Sequence, residues 1–169
     1  VIVWDKSRGP GGRLASKRSP SGSLDFGAQY FTSSTELFQQ QVNLWKTNNI
    51  ITEWEIAPAV INTPGEITTK PNHITRYIGY PRMTSISRDL EKEIQECIHY
   101  ETLVTSATKT NEQWEIRAND TVLETVDMMI INTPPKQALQ FLNKESSFAK
   151  TLEKIEMNPC WALSLSFSE

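Results

Sequence analysis

The sequence has few of the residues that build disulfide frameworks and metal sites. Its 169 residues include two cysteines and two histidines. Cys97 and Cys160 lie far apart and form no C-x-x-C pair, and neither His73 nor His99 stands near them at metal-ligand spacing. A disulfide scaffold and a zinc site are therefore disfavoured, and a reduced, cytoplasmic chain is expected.

Long apolar runs and a strong excess of one charge are also absent. Apolar stretches such as Met128–Ile131 have the length of a buried strand, far below the roughly 18 residues of a membrane span. The formal net charge of -3 does not favour nucleic-acid binding. Hydrophobic residues at 38% and charged residues at 22% are typical of a globular protein with a core. We expect no membrane and no nucleic-acid partner.

Both ends of the sequence fall inside strand-like segments. Val1–Trp4 forms an apolar run at the very start and Asp5 closes it, while residues 161–167 alternate apolar and polar residues and then stop. We therefore expect the chain to be truncated at both ends. Strand edges exposed by such a truncation would favour self-association.

The residue pattern predicts a mixed α/β chain. Helices are expected to begin near Ser33, where Glu36 completes capping-box spacing, and near Thr84, Pro134 and Ser147. Residues 6–23 are expected to form a long polar loop. Strands are predicted over 1–5, 24–31, 50–56, 59–61, 66–69, 76–80, 98–105, 113–118, 121–126, 128–132 and 161–167. Continuous apolar strands mixed with alternating hairpins favour a nucleotide-binding layer that carries an inserted antiparallel sheet.

The first strand and its loop, VIVWDKSRGPGGRL, carry the clearest candidate chemistry. An acidic residue at a strand end, here Asp5, can accept hydrogen bonds from both hydroxyls of a ribose. The adjacent Gly11 and Gly12 allow a phosphate to approach the backbone closely. Arg8 and Arg13 flank this pair, and guanidinium groups suit bidentate phosphate contacts. Spacing alone leaves two interpretations open, a nucleotide site and a basic loop with turn glycines.

Four segments together carry a family resemblance. WDKSRGPGGRLAS, DFGAQYFT, YIGYPRMTSISRDL and MNPCWALSLSF occur in this order along nearly all of the chain. They resemble the renalase-like FAD oxidoreductases of the flavin amine oxidase superfamily, and RGPGGR resembles that superfamily's second flavin motif. The resemblance implies part of an FAD/NAD(P)-binding Rossmann-like domain with an inserted antiparallel β-sheet substrate domain.

The resemblance also implies a set of cofactor contacts. Asp5 would bind the ribose of the FAD adenosine, and the pyrophosphate and ribityl region would be lined by Arg8, Gly11, Gly12, Arg13 and Leu14. Lys6 would be a further cofactor-binding residue. The stretch near the isoalloxazine ring would be Ala28, Gln29, Tyr30 and Phe31. Val104 would meet adenine through its backbone, Thr133 and Pro134 would border the dinucleotide, and Trp161 would lie in the substrate-side sheet.

The domain organisation implied by the resemblance alternates along the chain. Residues 1–33 would be a partial FAD-binding segment and 34–98 substrate-domain strands and helices. Residues 99–145 would return to the FAD-binding domain, and 146–169 would begin a second substrate-domain segment.

Two features of such enzymes bear on FAD binding. They carry a G-x-G-x-x-G turn on a strand before the acidic one, and no such motif occurs here. They also carry a C-terminal segment that completes the flavin site. We therefore expect weak or no FAD binding from this chain alone. A G-x-G-x-x-G within about 30 residues before Val1 would favour the flavoenzyme.

The predicted activity is oxidation of a small-molecule donor, an amine or a reduced nicotinamide, by hydride transfer to FAD with oxygen as acceptor. No side chain is assigned as catalytic acid or base, and Gln29 and Tyr30 would orient reactants at most. Two alternatives stay open. One is a non-enzymatic degenerate paralogue that acts as an interaction module, for which a start codon at Val1 would be evidence. The other is a nucleotide-binding regulator without redox chemistry.

Overall fold

The computed structural model describes residues 1–20, 22–56, 59–62, 65–69, 74–163 and 165. These residues form a mixed α/β chain with small, mostly antiparallel sheets, as the sequence predicts. The Rossmann-like assignment is finer than these elements and stays a prediction. No helix within the described ranges is long and apolar enough to cross a membrane.

The described residues contain eleven strands and four α-helices. The strands are β1 (Val3–Trp4), β2 (Ser16–Ser19), β3 (Gly22–Asp25), β4 (Ile51–Glu53), β5 (Ala59–Ile61), β6 (Ile67–Thr69), β7 (Tyr77–Gly79), β8 (Ile98–His99), β9 (Ser106–Thr110), β10 (Gln113–Ala118) and β11 (Thr121–Val126). The helices are α1 (Glu36–Thr47), α2 (Thr84–Glu91), α3 (Pro135–Ala138) and α4 (Ser147–Leu152). Short 3-10 helices cover Gly12–Leu14, Gln95–Cys97 and Leu139–Phe141.

The chain divides into two compact units. The first unit comprises Val1–Gly9 and Glu96–Trp161, and the second comprises Pro10–Gln95 and Ala162–Glu169. In the first unit β1 pairs with β8 in parallel, and β9, β10 and β11 form an antiparallel meander. Its buried apolar side chains are Ile116, Ala138, Phe141 and Ala149.

The second unit is built around α1. The Thr35 hydroxyl caps this helix by accepting a hydrogen bond from the Phe38 N–H at 3.3 Å. Val42 and Trp45 lie on one face of the helix and are buried, so this face joins the core. The core cluster consists of Val42, Trp45, Ile51, Tyr77, Met83 and Ile86.

Two polar contacts tie α1 to its neighbours in the second unit. The Trp45 indole N–H donates to an Asp89 carboxylate oxygen of α2 at 3.1 Å. The Lys46 ammonium donates to the Glu53 carboxylate of β4, and this hydrogen bond raises the pKa of Lys46 above its usual value. The Trp45–Asp89 contact is partly buried and holds α1 against α2, whereas the Lys46–Glu53 pair is exposed and contributes little stability.

Elements with strong local signals follow the prediction. The β10–β11 hairpin has the predicted bounds. The helix expected from Thr84 begins there, and the helix expected from the Pro134-Pro135 pair has Pro135 in its first turn. The strand expected over 59–61 has the predicted bounds, and those expected over 66–69 and 76–80 are one residue shorter at the start or at both ends.

The buried strand predicted over Met128–Asn132 is wrong. The structure assigns no strand there, and Ile130 is 87% exposed. A strand needs a neighbouring strand to satisfy its backbone groups, and no described segment pairs with this run. The strand predicted over 98–105 is likewise limited to β8 at its start, and residues 100–105 are assigned no strand.

Three further expectations need correction. The polar loop predicted over 6–23 contains β2 and the start of β3, which pair as a hairpin. Thr35 rather than Ser33 caps α1. The last strand, predicted over 161–167, is not present in Trp161–Leu163, and residues 164 and 166–169 lie outside the described residues, as does His73.

Met83 offers a test of the second unit's core. Its side chain is fully buried, and its sulfur accepts a hydrogen bond from the Gly79 N–H at 3.1 Å. We expect Met83→Ala to lower the free energy of unfolding by about 2–5 kcal/mol, because it leaves a cavity. Leu90→Ala, at a 60% exposed position of the neighbouring α2, should change it by less than about 0.5 kcal/mol. Urea unfolding measures both, and equal effects would place the core elsewhere.

Candidate functional site

The second unit contains the glycine pair in a tight turn. Gly11 and Gly12 have φ angles of 139° and 49°, a region that residues with a side chain rarely adopt. The Leu14 N–H donates to the Gly11 carbonyl at 2.6 Å, and the Ala15 N–H donates to the Gly12 carbonyl at 3.2 Å. The sequence folds into this turn because two adjacent glycines permit both conformations.

The DFGAQYF segment packs directly against this turn. The Ala28 N–H donates to the Arg13 carbonyl at 2.7 Å, and the Gly27 N–H donates to the Ala15 carbonyl at 3.2 Å. A Cβ atom on Gly27 would lie 2.0 Å from the Arg13 carbonyl oxygen. Only glycine therefore fits here. The sequence prediction named Ala28 but missed Gly27, although a lone glycine in a strand-like segment signals such a close approach.

Helix α2 supports the turn through a polar network. The Ser16 hydroxyl donates to the Asp25 carboxylate and accepts from the Thr84 N–H and hydroxyl at 3.3 and 3.1 Å. The same Asp25 oxygen accepts from the Met83 N–H at 3.3 Å. Asp25 and Ser16 thus satisfy backbone N–H groups at the start of α2. The prediction missed these two residues, because neither belongs to a spaced sequence signal.

The turn is packed on one side and open on the other. A Cβ atom on Gly11 would lie 2.9 Å from the Thr84 methyl group, whereas a Cβ atom on Gly12 would meet no heavy atom of a described residue within 4 Å. Gly12 and Arg13 are exposed. A phosphate could therefore approach the backbone at Gly12, where no side chain intervenes. The exposed backbone at Gly12 and Arg13, called the diphosphate cradle below, fits the diphosphate group that the resemblance implies.

The four residues expected near an isoalloxazine ring divide into two kinds. Ala28 and Phe31 pack against the core cluster, and the Phe31 ring contacts Phe38 and Tyr77 at centroid distances of 5.8 and 5.6 Å. Gln29 and Tyr30 are exposed. Of these four residues, only Gln29 and Tyr30 have side chains that a ligand could contact.

In the first unit, Asp5 lies at the end of β1 as predicted. Its N–H donates to the His99 carbonyl at 3.0 Å, and its carbonyl accepts from the Thr102 N–H at 3.0 Å. One carboxylate oxygen accepts from the Ser7 N–H at 2.8 Å. Asp5 is half-buried, and its carboxylate is held in place by the Ser7 backbone N–H two residues along the chain.

The other predicted residues of the first unit are less constrained. The Arg8 guanidinium lies 4.0 Å from the Glu101 carboxylate, but both side chains are largely exposed, so this pair contributes little stability. Lys6 and Thr133 are exposed, and Val104 is half-buried. Pro134, also exposed, is the N-cap residue of α3, and its carbonyl accepts hydrogen bonds from the Gln137 and Ala138 N–H groups. Trp161 is 97% exposed.

Metal chemistry finds no support in the described part of the chain. No group of three or more His, Cys, Asp and Glu side chains there is arranged to hold an ion. Cys97 is half-buried, Cys160 is exposed, and both are free thiols. The candidate site is therefore the glycine turn and its surroundings in the second unit, with the Asp5 carboxylate as a separate feature of the first.

Gly27 provides a test of the turn's packing. We expect Gly27→Ala to lower the free energy of unfolding by about 1–3 kcal/mol, because the methyl group displaces the Arg13 carbonyl. Gly9→Ala is the matched control, since a Cβ atom there meets nothing within 4 Å, and it should change stability by less than about 0.5 kcal/mol. Thermal unfolding compares them, and an unperturbed Gly27→Ala variant would contradict the close packing.

A scan of the chain against models of known protein families finds no match. The resemblance to renalase-like flavoenzymes is therefore carried by the four sequence segments themselves. Within the second unit, the first segment forms the glycine turn and the second hydrogen-bonds to its backbone. The third contributes Met83 and Thr84, which hydrogen-bond to Asp25 and Ser16. The family assignment stays a prediction.

Proposed function

We propose that this chain is part of an FAD-dependent oxidoreductase of the renalase-like type, with a Rossmann-like architecture and a cytoplasmic location. One observation carries the proposal: the Gly11-Gly12 turn is packed from behind by Gly27 and Thr84 and is open at Gly12. The exposed backbone at Gly12 lies beside the exposed Arg13, and backbone N–H groups together with a guanidinium suit a diphosphate group. The sequence resemblance supplies the identity of the nucleotide.

The residues of the chain would hold the cofactor as follows. The Asp5 carboxylate, fixed by the Ser7 N–H, accepts hydrogen bonds from the adenosine ribose. The Gly11–Leu14 backbone and the Arg13 side chain bind the diphosphate. Gln29 and Tyr30, the exposed pair of the second segment, orient the ring side of the site. Trp161 belongs to the substrate side.

The chemistry requires little from the protein's side chains. When bound, FAD would accept a hydride from a small donor and pass the electrons to oxygen. An amine and a reduced nicotinamide both meet this description, and hydride loss from the latter needs no protein base. The contribution of this chain is to bind, orient and exclude water. This agrees with the absence of an assigned acid or base among its predicted site residues.

A second candidate function, an interaction module without flavin, is favoured by a separate observation. Val1, Met128 and Ile130 are 95%, 78% and 87% exposed. Large exposed apolar side chains favour association with another chain. Sedimentation equilibrium would detect self-association, and FAD titration separates this function from the first.

The direct test is an FAD titration followed by quenching of flavin fluorescence. The sequence leaves both weak and no FAD binding open, and the open side of the turn at Gly12 favours weak but saturable binding. ADP should displace FAD, since ADP shares the ribose and diphosphate. Bleaching of the flavin absorbance by a reduced nicotinamide or an amine would then separate the oxidoreductase from a nucleotide-binding regulator. Absence of saturable binding would contradict the proposal for this chain.

Gly12 tests the cradle. We expect Gly12→Glu to weaken FAD binding at least about tenfold, because a carboxylate then occupies the open side and repels the phosphates. Gly65→Glu is the matched control. Gly65 also has a positive φ, and a Cβ atom there would meet no heavy atom of a described residue within 4 Å, but it lies between β5 and β6. Equal loss in both variants would show backbone strain rather than a blocked phosphate site.

Asp5 tests the ribose contact. Asp5→Asn retains an oxygen for the Ser7 N–H but replaces a carboxylate acceptor with a donor. We expect both FAD and ADP to bind about tenfold more weakly. Asp127→Asn, at a carboxylate that accepts a hydrogen bond from the Gln113 side chain, should leave both affinities unchanged. Calorimetric titration distinguishes the variants, and unchanged ADP affinity for Asp5→Asn would place the ribose elsewhere.

A further inference from the structure

The strands beside Phe31 form a ladder with two different faces. Phe31 pairs with Tyr77, and Tyr77 also pairs with Glu53 of β4. Opposed residues of an antiparallel ladder share a face, and the next residue along each strand points to the other face. The Phe31 and Tyr77 rings belong to the core side. Tyr30, Trp54 and Arg76, each one residue away, therefore lie on the opposite face.

These three side chains contact one another on that face. The Arg76 guanidinium lies 5.0 Å from the centroid of the Tyr30 ring, within cation–π distance. The Trp54 ring lies 5.7 Å from the Tyr30 ring and is tilted by 42°, a favourable aromatic arrangement. The Trp54 N–H donates to the Arg76 carbonyl at 2.8 Å, so the backbone keeps the two flanking side chains together.

The charge of Arg76 has no competing partner among the described carboxylates. Its guanidinium donates to the Ile74 carbonyl at 3.3 Å, and none of the described ion pairs includes it. The Tyr30 ring is thus the surface that this charge faces. Tyr30 itself is 41% exposed. The pairing of Phe31 with Tyr77 fixes the backbone next to Tyr30 but not the orientation of the Tyr30 side chain.

We propose that Arg76 and Trp54 are positioning residues that hold the Tyr30 ring at the flavin-ring side of the site. This inference rests on the proposed function, because it assigns the Gln29-Tyr30 pair to that side. The Arg76 guanidinium lies over the Tyr30 ring and the tilted Trp54 ring lies beside it, so the two side chains fix the orientation of Tyr30. The diphosphate cradle at Gly12 does not depend on them.

The experiment compares FAD and ADP affinities of the wild-type chain with Arg76→Met and Arg76→Lys variants. Methionine keeps the length and apolar stem but removes the charge, whereas lysine keeps a cation over the ring. We expect Arg76→Met to weaken FAD binding by about 2- to 5-fold and to leave ADP binding unchanged. Arg76→Lys should restore most of the FAD affinity. Arg88→Met, at an exposed position of α2, is the control and should change neither.

Hydrogen–deuterium exchange of the peptide spanning 26–32 provides a readout that needs no ligand. Arg76→Met should accelerate exchange there, and Arg76→Lys should not. Should Arg76→Met fail to fold, Tyr30→Leu takes its place with Tyr30→Phe as the rescuing variant, and the same expectations apply.

The outcomes separate the two proposals. If the wild-type chain binds neither FAD nor ADP, the proposed function fails, and the exchange measurement alone decides whether Arg76 holds Tyr30. If FAD binds but Arg76→Met changes neither its affinity nor the exchange, the positioning role is overturned. Parallel losses of FAD and ADP affinity would also overturn it, because they indicate a general structural effect.

Discussion

The second unit depends on a close contact between two backbone segments. Gly27 and Ala28 donate to the carbonyls of Ala15 and Arg13, and a side chain at position 27 would collide with the Arg13 carbonyl. This contact lies immediately after the Gly11-Gly12 turn, so it fixes the turn from behind. At position 27 this approach requires glycine, because a Cβ atom would lie 2.0 Å from the Arg13 carbonyl oxygen. The geometry of the candidate site follows from this one constraint.

The same constraint places a polar network beside the turn. Ser16 begins β2 and Asp25 ends β3, and the two residues pair across the hairpin, so their side chains meet. Their oxygens accept hydrogen bonds from Met83 and Thr84 at the start of α2. No buried side-chain nitrogen or oxygen of the described residues is left without a partner. A satisfied network of this kind favours one arrangement of hairpin and helix.

Errors in the sequence prediction have a common physical cause. The run at Met128–Asn132 has strand composition, but strand propensity is realised only when a neighbouring strand accepts its backbone hydrogen bonds. No described segment does so. In the opposite direction, the polar composition of residues 16–19 predicted a loop, yet these residues pair with β3. Pairing partners come from distant positions, and composition does not contain that information.

The sequence by itself determined the features that local chemistry controls. The β10–β11 hairpin, the start of α2 and the proline-led start of α3 follow from alternation, periodicity and the fixed φ of proline. It also identified the Gly11-Gly12 turn and Asp5 as candidate ligand contacts. Only the tertiary structure decided that Gly27 backs the turn, that Phe31 enters the core, and that Tyr30 lies against Arg76. These depend on contacts between residues distant in the chain, which only packing brings together.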